Sequence, residues 1–200
     1  MGNTDKFDSV ANSYDNPERH HIAKVASDAI KEYLGDTRSK SAIDFGCGTG
    51  LVGMNLVNEF ESLLFMDTSE NMLDIVKKKI TDVGALNART LCFDFESSSQ
   101  PDLRADYIFM AQVLLHIQDY EALLAKLHAV LNDEGHLLIV DFNKNDKVVS
   151  ELVHNGFDQE QLKEVMLKIG FKDIRSKTIY SGTKLFMNQD ASLFVMDAKK

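Results

Sequence analysis

Apolar positions along this chain follow two rhythms in alternation, one of helical period and one of strand period. Ile22, Val25, Ala26, Ala29, Ile30 and Tyr33 return every three or four residues and share one helical face. Asn16-Pro17-Glu18 starts that helix with an N-cap, a proline at the first helical position and an acid in the first turn. The helix is expected to run to about Leu34, where Gly35 stops it. A short strand over 41–45 runs into Gly46-Cys47-Gly48-Thr49-Gly50, and Leu51, Val52, Leu56 and Val57 mark the next helix. A second strand, 62–66, ends at Asp67. Ser69 then caps a helix that turns Met72, Leu73, Ile75, Val76 and Ile80 inward. Residues 88–93 form a third strand, 97–103 a polar loop, and 106–111 a fourth strand followed by helical segments through Leu131. The fifth strand, 135–142, is continuously apolar through Leu137, Leu138, Ile139 and Val140, as a strand buried on both faces must be.

After a helix over 158–169, opened by Asp158 with Gln161 and closed by Gly170, two strands follow in succession, 172–187 and 191–198, joined by a turn at 188–190. Strands alternate with helices and the chain closes on a hairpin. The expected fold is therefore α/β: a Rossmann-like, doubly wound, mostly parallel sheet of seven strands, with a C-terminal antiparallel hairpin and helices on both faces. We read residues 1–200 as a single domain: 1–35 an N-terminal lid and helix, 36–142 a cofactor-binding core, and 143–200 an acceptor-side loop, helix and hairpin.

The net charge of −9 disfavours general binding to nucleic acid, whose phosphates such a surface repels. The basic run Lys77-Lys78-Lys79 falls on a helix and reads as a solvated face. Cys47 and Cys92 have no metal-ligand spacing, which argues against a zinc site and fits a reducing compartment. With no apolar signal core at the start and no apolar run of about 20 residues, a soluble, cytoplasmic protein is expected.

Candidate chemistry gathers where the strands end, which is where open parallel sheets bind ligands. Glycines in the turn after the first strand let a ligand approach the backbone, and the helix that follows offers free N–H groups. Gly48-Thr49-Gly50-Leu51-Val52-Gly53 also spells the dinucleotide fingerprint. The strand stops at Phe45, however, so the turn itself reads G-x-G-x-G behind an acid, Asp44. An acid there suits a cationic amino group better than a pyrophosphate. Asp67 can accept from both ribose hydroxyls, and Asp94 from an adenine amino group that Phe93 or Phe95 would wall.

These segments resemble, in order and spacing, the class I S-adenosylmethionine-dependent methyltransferases. The resemblance is carried by Ala42-Ile43-Asp44-Phe45-Gly46-Cys47-Gly48-Thr49-Gly50, Met66-Asp67-Thr68-Ser69-Glu70-Asn71-Met72-Leu73, Asp94, Asp106-Tyr107-Ile108-Phe109 and Gly135-His136-Leu137-Leu138-Ile139-Val140. Residues 7–15, 155–158 and 170–171 are similar to its small-molecule, UbiE-like branch. The resemblance implies S-adenosylmethionine as cofactor and S-adenosylhomocysteine as product. Gly46, Cys47, Gly48 and Gly50 would lie against the methionine part, and Asp44 would help hold its ammonium. Asp67 would take the ribose, with Thr68 or Met72 near the adenine and Asp94 and Phe95 at its edge. Ala111, Gln112 and Val113 would pass behind the sulfonium, with Tyr14 and Arg19 closing over the amino-acid end.

No Asn-Pro-Pro-Tyr-type motif follows the fourth strand, and the acid set of metal-dependent catechol enzymes is missing, which points to a metal-free enzyme with a small-molecule acceptor. His116 is the first candidate for a general base and His20 the second. Asp141 and Asn143 are expected near the acceptor, and His128, His136 and His154 are assigned to structure. Three other readings stand beside this one: a noncatalytic S-adenosylmethionine-binding protein, a tRNA methyltransferase and an NAD(P)-linked oxidoreductase. Oligomeric state is not legible in the sequence.

Overall fold

A computed structural model describes residues 14–95 and 103–200. The elements are α1 (Pro17–Lys31), β1 (Ser41–Phe45), α2 (Leu51–Leu56), β2 (Ser62–Asp67), α3 (Glu70–Val83), β3 (Ala88–Cys92), β4 (Ala105–Ala111), α4 (Tyr120–Val130), β5 (Leu131–Phe142), α5 (Gln159–Ile169), β6 (Lys172–Phe186) and β7 (Gln189–Lys199). Short 3-10 turns lie at Val57–Glu59 and Leu114–His116. The strands form one seven-stranded sheet in the order β3-β2-β1-β4-β5-β7-β6. β1 to β5 run parallel, and β7 inserts antiparallel between β5 and β6. The order reverses between β1 and β4, which opens a crevice at their C-terminal ends.

Strand periodicity divides the core in two. Ala42, Leu63, Phe65, Phe109, Leu138 and Val140 face α1, α2 and α3, whereas Ile43, Leu64, Met66, Ile108, Met110, Leu137 and Ile139 face α4 and α5. Both faces of the central strands are therefore covered, which explains their near-continuous apolar sequence.

Four boundaries differ from the sequence reading. Helix α1 stops at Lys31 and its chain tightens through i→i+3 bonds, Tyr33 N–H to Ile30 and Leu34 N–H to Lys31, so Gly35 lies outside it. The helical stretch after β4 is a 3-10 turn and then α4, which ends at Val130. Strand β5 starts at Leu131 instead of Gly135 because Leu131 pairs with Ala105 before a register shift. The hairpin turns at Met187 and Asn188, both at positive φ (49° and 63°), as the tight turn that matches strand twist requires. Most of the polar loop at 97–103 lies outside the described residues. No helix among the described residues is long and apolar enough to cross a membrane.

Candidate functional site

The turn after β1 builds the floor of the crevice. Gly46, Gly48 and Gly50 all take positive φ (66°, 52° and 78°), a path that side chains strain. At Gly46 a Cβ would also meet Val113 Cγ2 at 2.7 Å, so the loop after β4 closes directly on the glycine backbone. Cys47 N–H donates to Met66 O (3.0 Å), Gly48 N–H to Asp67 Oδ2 (2.8 Å), and Ser69 N–H to Asp67 Oδ1 (2.9 Å). Phe93 N–H reaches Asp67 O (3.0 Å). The ends of β1, β2 and β3 are thereby locked to one another.

Above them lies a cavity of about 450 Å3, within the usual range for small-molecule sites. Gly46, Cys47, Gly48, Asp67, Thr68, Met72, Asp94, Phe95, Ala111, Gln112, Val113 and His116 all line it. Tyr14 and Arg19 line the far wall, with the Arg19 guanidinium stacked 3.5 Å over the Tyr14 ring and its Nη1 donating to Tyr14 O (3.2 Å). Gln112 holds a positive φ of 56°, and its N–H donates to Val140 O at 2.7 Å. A non-glycine residue in that region costs of order 1–3 kcal/mol and here sits on the cavity wall.

Three of the expected site residues lie off the cavity lining. Asp44 is 2% exposed and does not line the cavity; its Oδ2 accepts Gly53 N–H (3.0 Å) at the start of α2. Burial pushes its carboxyl up to about 8, the Gly53 bond opposing and the nearby Asp67 adding. Gly50 also lies off the cavity, packed behind the turn toward Val76 and Phe65. His20 is exposed on α1 and away from the lining, so geometry does not support it as a base. Cys47 keeps its thiol: burial, then the Asp44 and Asp67 charges, push it well up.

His116 is held from two sides. The 3-10 turn that carries it donates Leu115 N–H to Asp141 Oδ2 (3.2 Å), while Asp141 Oδ1 takes Phe142 N–H (2.8 Å). From the segment after β5, His154 N–H donates to Leu115 O (2.8 Å) and its Nε2 pairs with Ile117 O (2.8 Å). Asp141 is fully buried, which raises its carboxyl to about 7 against the bonds from Phe142, Leu115 and Leu114. Asp141 thus braces the turn and does not line the cavity. Asn143 lies in a separate polar groove, bonded to Thr178 and Ser192.

The remaining wall was not legible as a site. Ile22, Ala23 and Ala26 of α1 belong to an apolar stripe that also reads as plain core, and Ile117 and Leu123 carry no signal of their own.

Fold and site together define an α/β domain of the class I methyltransferase kind. The chain matches the methyltransferase domain family over residues 19–176 and belongs to it. It is 26% identical over 147 residues to a ubiquinone biosynthesis O-methyltransferase of Coxiella burnetii, covering 71% of this chain and 62% of that protein's length. A SAM-dependent methyltransferase from Aquifex aeolicus superposes with a TM-score of 0.74 at 18% identity, covering 96% of this chain and 97% of the other. Phosphoethanolamine N-methyltransferase 2 of Haemonchus contortus, in complex with phosphomonomethylethanolamine and S-adenosylhomocysteine, superposes at 0.73 with 17% identity, over 87% of this chain and 52% of its own.

Proposed function

We propose that this chain binds S-adenosylmethionine in the β1–β4 crevice and transfers its methyl group to a small-molecule acceptor. One observation carries the reading: a single cavity is lined by the glycine turn after β1, the carboxylates after β2 and β3, and the strained loop after β4. Asp67 would take the ribose hydroxyls, and Asp94 with Phe95 the adenine edge. Gly46, Cys47 and Gly48 would admit the amino-acid chain. Arg19 is placed for a carboxylate, which a guanidinium grips with two N–H groups. Asp44 acts at one remove, by anchoring Gly53 and so the shape of the turn.

The cofactor supplies a methyl group already activated on sulfur, so the protein chiefly aligns and shields. Alignment of this kind is worth roughly 7–11 kcal/mol. Ile22, Ile117 and Leu123 exclude water from the acceptor side, and His116 stands on the cavity wall to take a proton from an acceptor that carries one. The two free cysteines suit a reducing, cytoplasmic setting.

The test is calorimetric titration with S-adenosylmethionine, S-adenosylhomocysteine and NADH, followed by transfer of labelled methyl into fractionated metabolites and tRNA. Binding of the two sulfur nucleosides but not NADH, with label in the small-molecule fraction, is the expected result. NADH binding, or label in tRNA alone, would replace this reading.

A further inference from the structure

Lys79 belongs to the basic run on α3 whose sequence reads as a solvated face, yet its side chain is only 25% exposed. It reaches back to the segment just before α1. Lys79 Nζ donates to Asp15 Oδ2 at 2.6 Å and to Thr49 O at 2.8 Å, and Thr49 Oγ1 donates to Asp15 Oδ1 at 2.5 Å. Three residues from three separate parts of the chain thus close a ring of hydrogen bonds. Thr49 sits inside the glycine turn and is 1% exposed. Burial alone would raise the Asp15 carboxyl, but the bonds from Lys79 and Thr49 outweigh it and hold the group below its ordinary value. Its neighbours on Tyr14 and α1 bear on the cavity: the Tyr14 ring lies 3.9 Å from where a Cβ of Gly48 would stand, and Asn16 caps α1 through Arg19 N–H (2.9 Å).

The geometry points to Asp15, Lys79 and Thr49 as a clasp that fixes the Tyr14–Arg19 strap over the amino-acid end of the cofactor cavity. Lys79 and Asp15 are positioning residues in this assignment, acting through Tyr14 and Arg19. Arg19 and Tyr14 are tied to each other by the ring stacking and the Nη1 bond to Tyr14 O, and Asp15, next in the chain to Tyr14, ties that pair to the glycine turn and to α3. Releasing the clasp removes the tie between the segment that carries Tyr14 and the glycine turn, and so loosens the Tyr14–Arg19 pair against the cavity. The inference rests on the cofactor reading only for its consequence; the clasp itself is a property of the ligand-free protein.

Two measurements separate these. In ligand-free protein, Lys79→Met and Asp15→Asn are expected to speed tryptic cleavage after Arg19, while Lys77→Met, on the outer face of the same helix, leaves it unchanged. In the ligand-bound state, Lys79→Met is expected to weaken S-adenosylhomocysteine about tenfold, or about 1.4 kcal/mol, with most of the change in the dissociation rate. Lys79→Arg restores affinity to within about threefold, since it keeps the charge and the donors. A role in fold stability alone would instead lower the ligand-free Tm and leave affinity untouched. Cleavage and affinity both equal to wild type in Lys79→Met and Asp15→Asn would overturn the clasp. Wild-type protein that fails to bind S-adenosylhomocysteine would overturn the cofactor reading, and the cleavage experiment would still decide the clasp.

Discussion

Strand β1 sends its residues alternately to two faces, and that alternation decides what Asp44 can do. Asp44 pairs in register with Phe65 and Phe109, so its carboxyl points under α2 with those rings and not out of the strand end. The motif was legible, but the direction of one side chain within it was not, because the reading followed position along the strand and not its period of two. The consequence is measurable. A carboxyl raised from 3.8 to about 8 makes the folded state bind a proton that the unfolded chain has released. Stability therefore falls as pH rises from about 4 to about 8, at up to about 1.4 kcal/mol per pH unit. Asp44→Asn keeps an acceptor for Gly53 N–H and removes the titration, so urea melts across that range should show a flatter profile for the variant. Gly53 is bound to the same arrangement: a Cβ there would meet Asp44 Oδ2 and Phe65 Cε1 at 2.4 Å each. Gly53→Ala is expected to cost about 1–3 kcal/mol by overpacking, read from the same melts. Asp67 lines the cavity at the end of β2, and Asp67→Ala should weaken S-adenosylhomocysteine by calorimetry about tenfold or more, the charge-assisted bonds to a ribose being worth about 1.5–3 kcal/mol.

At the scale of elements, what the sequence shows well is local and what it hides is long-range. Caps were legible because they are written in adjacent residues: Asp158 accepts Glu160 and Gln161 N–H, Ser69 accepts Met72 N–H, and Gly170 closes α5 in the left-handed region. The turn between β6 and β7 was placed late because Met187, a residue with no turn preference, takes a positive φ. The brace on the 3-10 turn was hidden altogether, since Asp141 and His154 reach Leu115 from across 26 and 39 residues of chain (141 − 115 and 154 − 115). The hairpin hides another such tie. Asp197, 1% exposed on β7, joins His136 of β5 (2.8 Å) and Arg175 of β6 (2.7 Å). Arg175 is 64% exposed, so Arg175→Met should cost only about 1 kcal/mol while His136 still partners the carboxylate. Removing both partners leaves a buried charge alone. His136→Phe with Arg175→Met is expected to cost about 3–5 kcal/mol, more than the sum of the single variants, and additive urea-melt energies would refute the coupling.

Across the whole molecule, charge and cavity set what an acceptor can be. The chain carries a net charge of −9, and Arg19 is the one lysine or arginine among the described residues that line the cavity. If the cofactor engages that guanidinium, no lysine or arginine among the described lining residues is left for a polyphosphate acceptor. A tRNA held by 6–10 phosphate contacts would lose roughly 10³–10⁵-fold in affinity between 50 and 200 mM salt. A small acceptor bound among Ile22, Ile117 and Leu123 would lose almost nothing over the same range. The cofactor itself permits a cleaner experiment, because it needs no knowledge of the acceptor. S-adenosylhomocysteine at about 100 times its Kd should stabilise the folded state by about 2.7 kcal/mol. For a chain of this size that is a rise in Tm of about 5–11 °C. The rise should change little between the two salt concentrations, since most of the contacts that produce it lie within the crevice and only Arg19 stands exposed to screening. A shift that collapses at high salt would place the nucleoside on the exposed, charged surface instead, and the sheet would then be a scaffold whose crevice serves some other ligand.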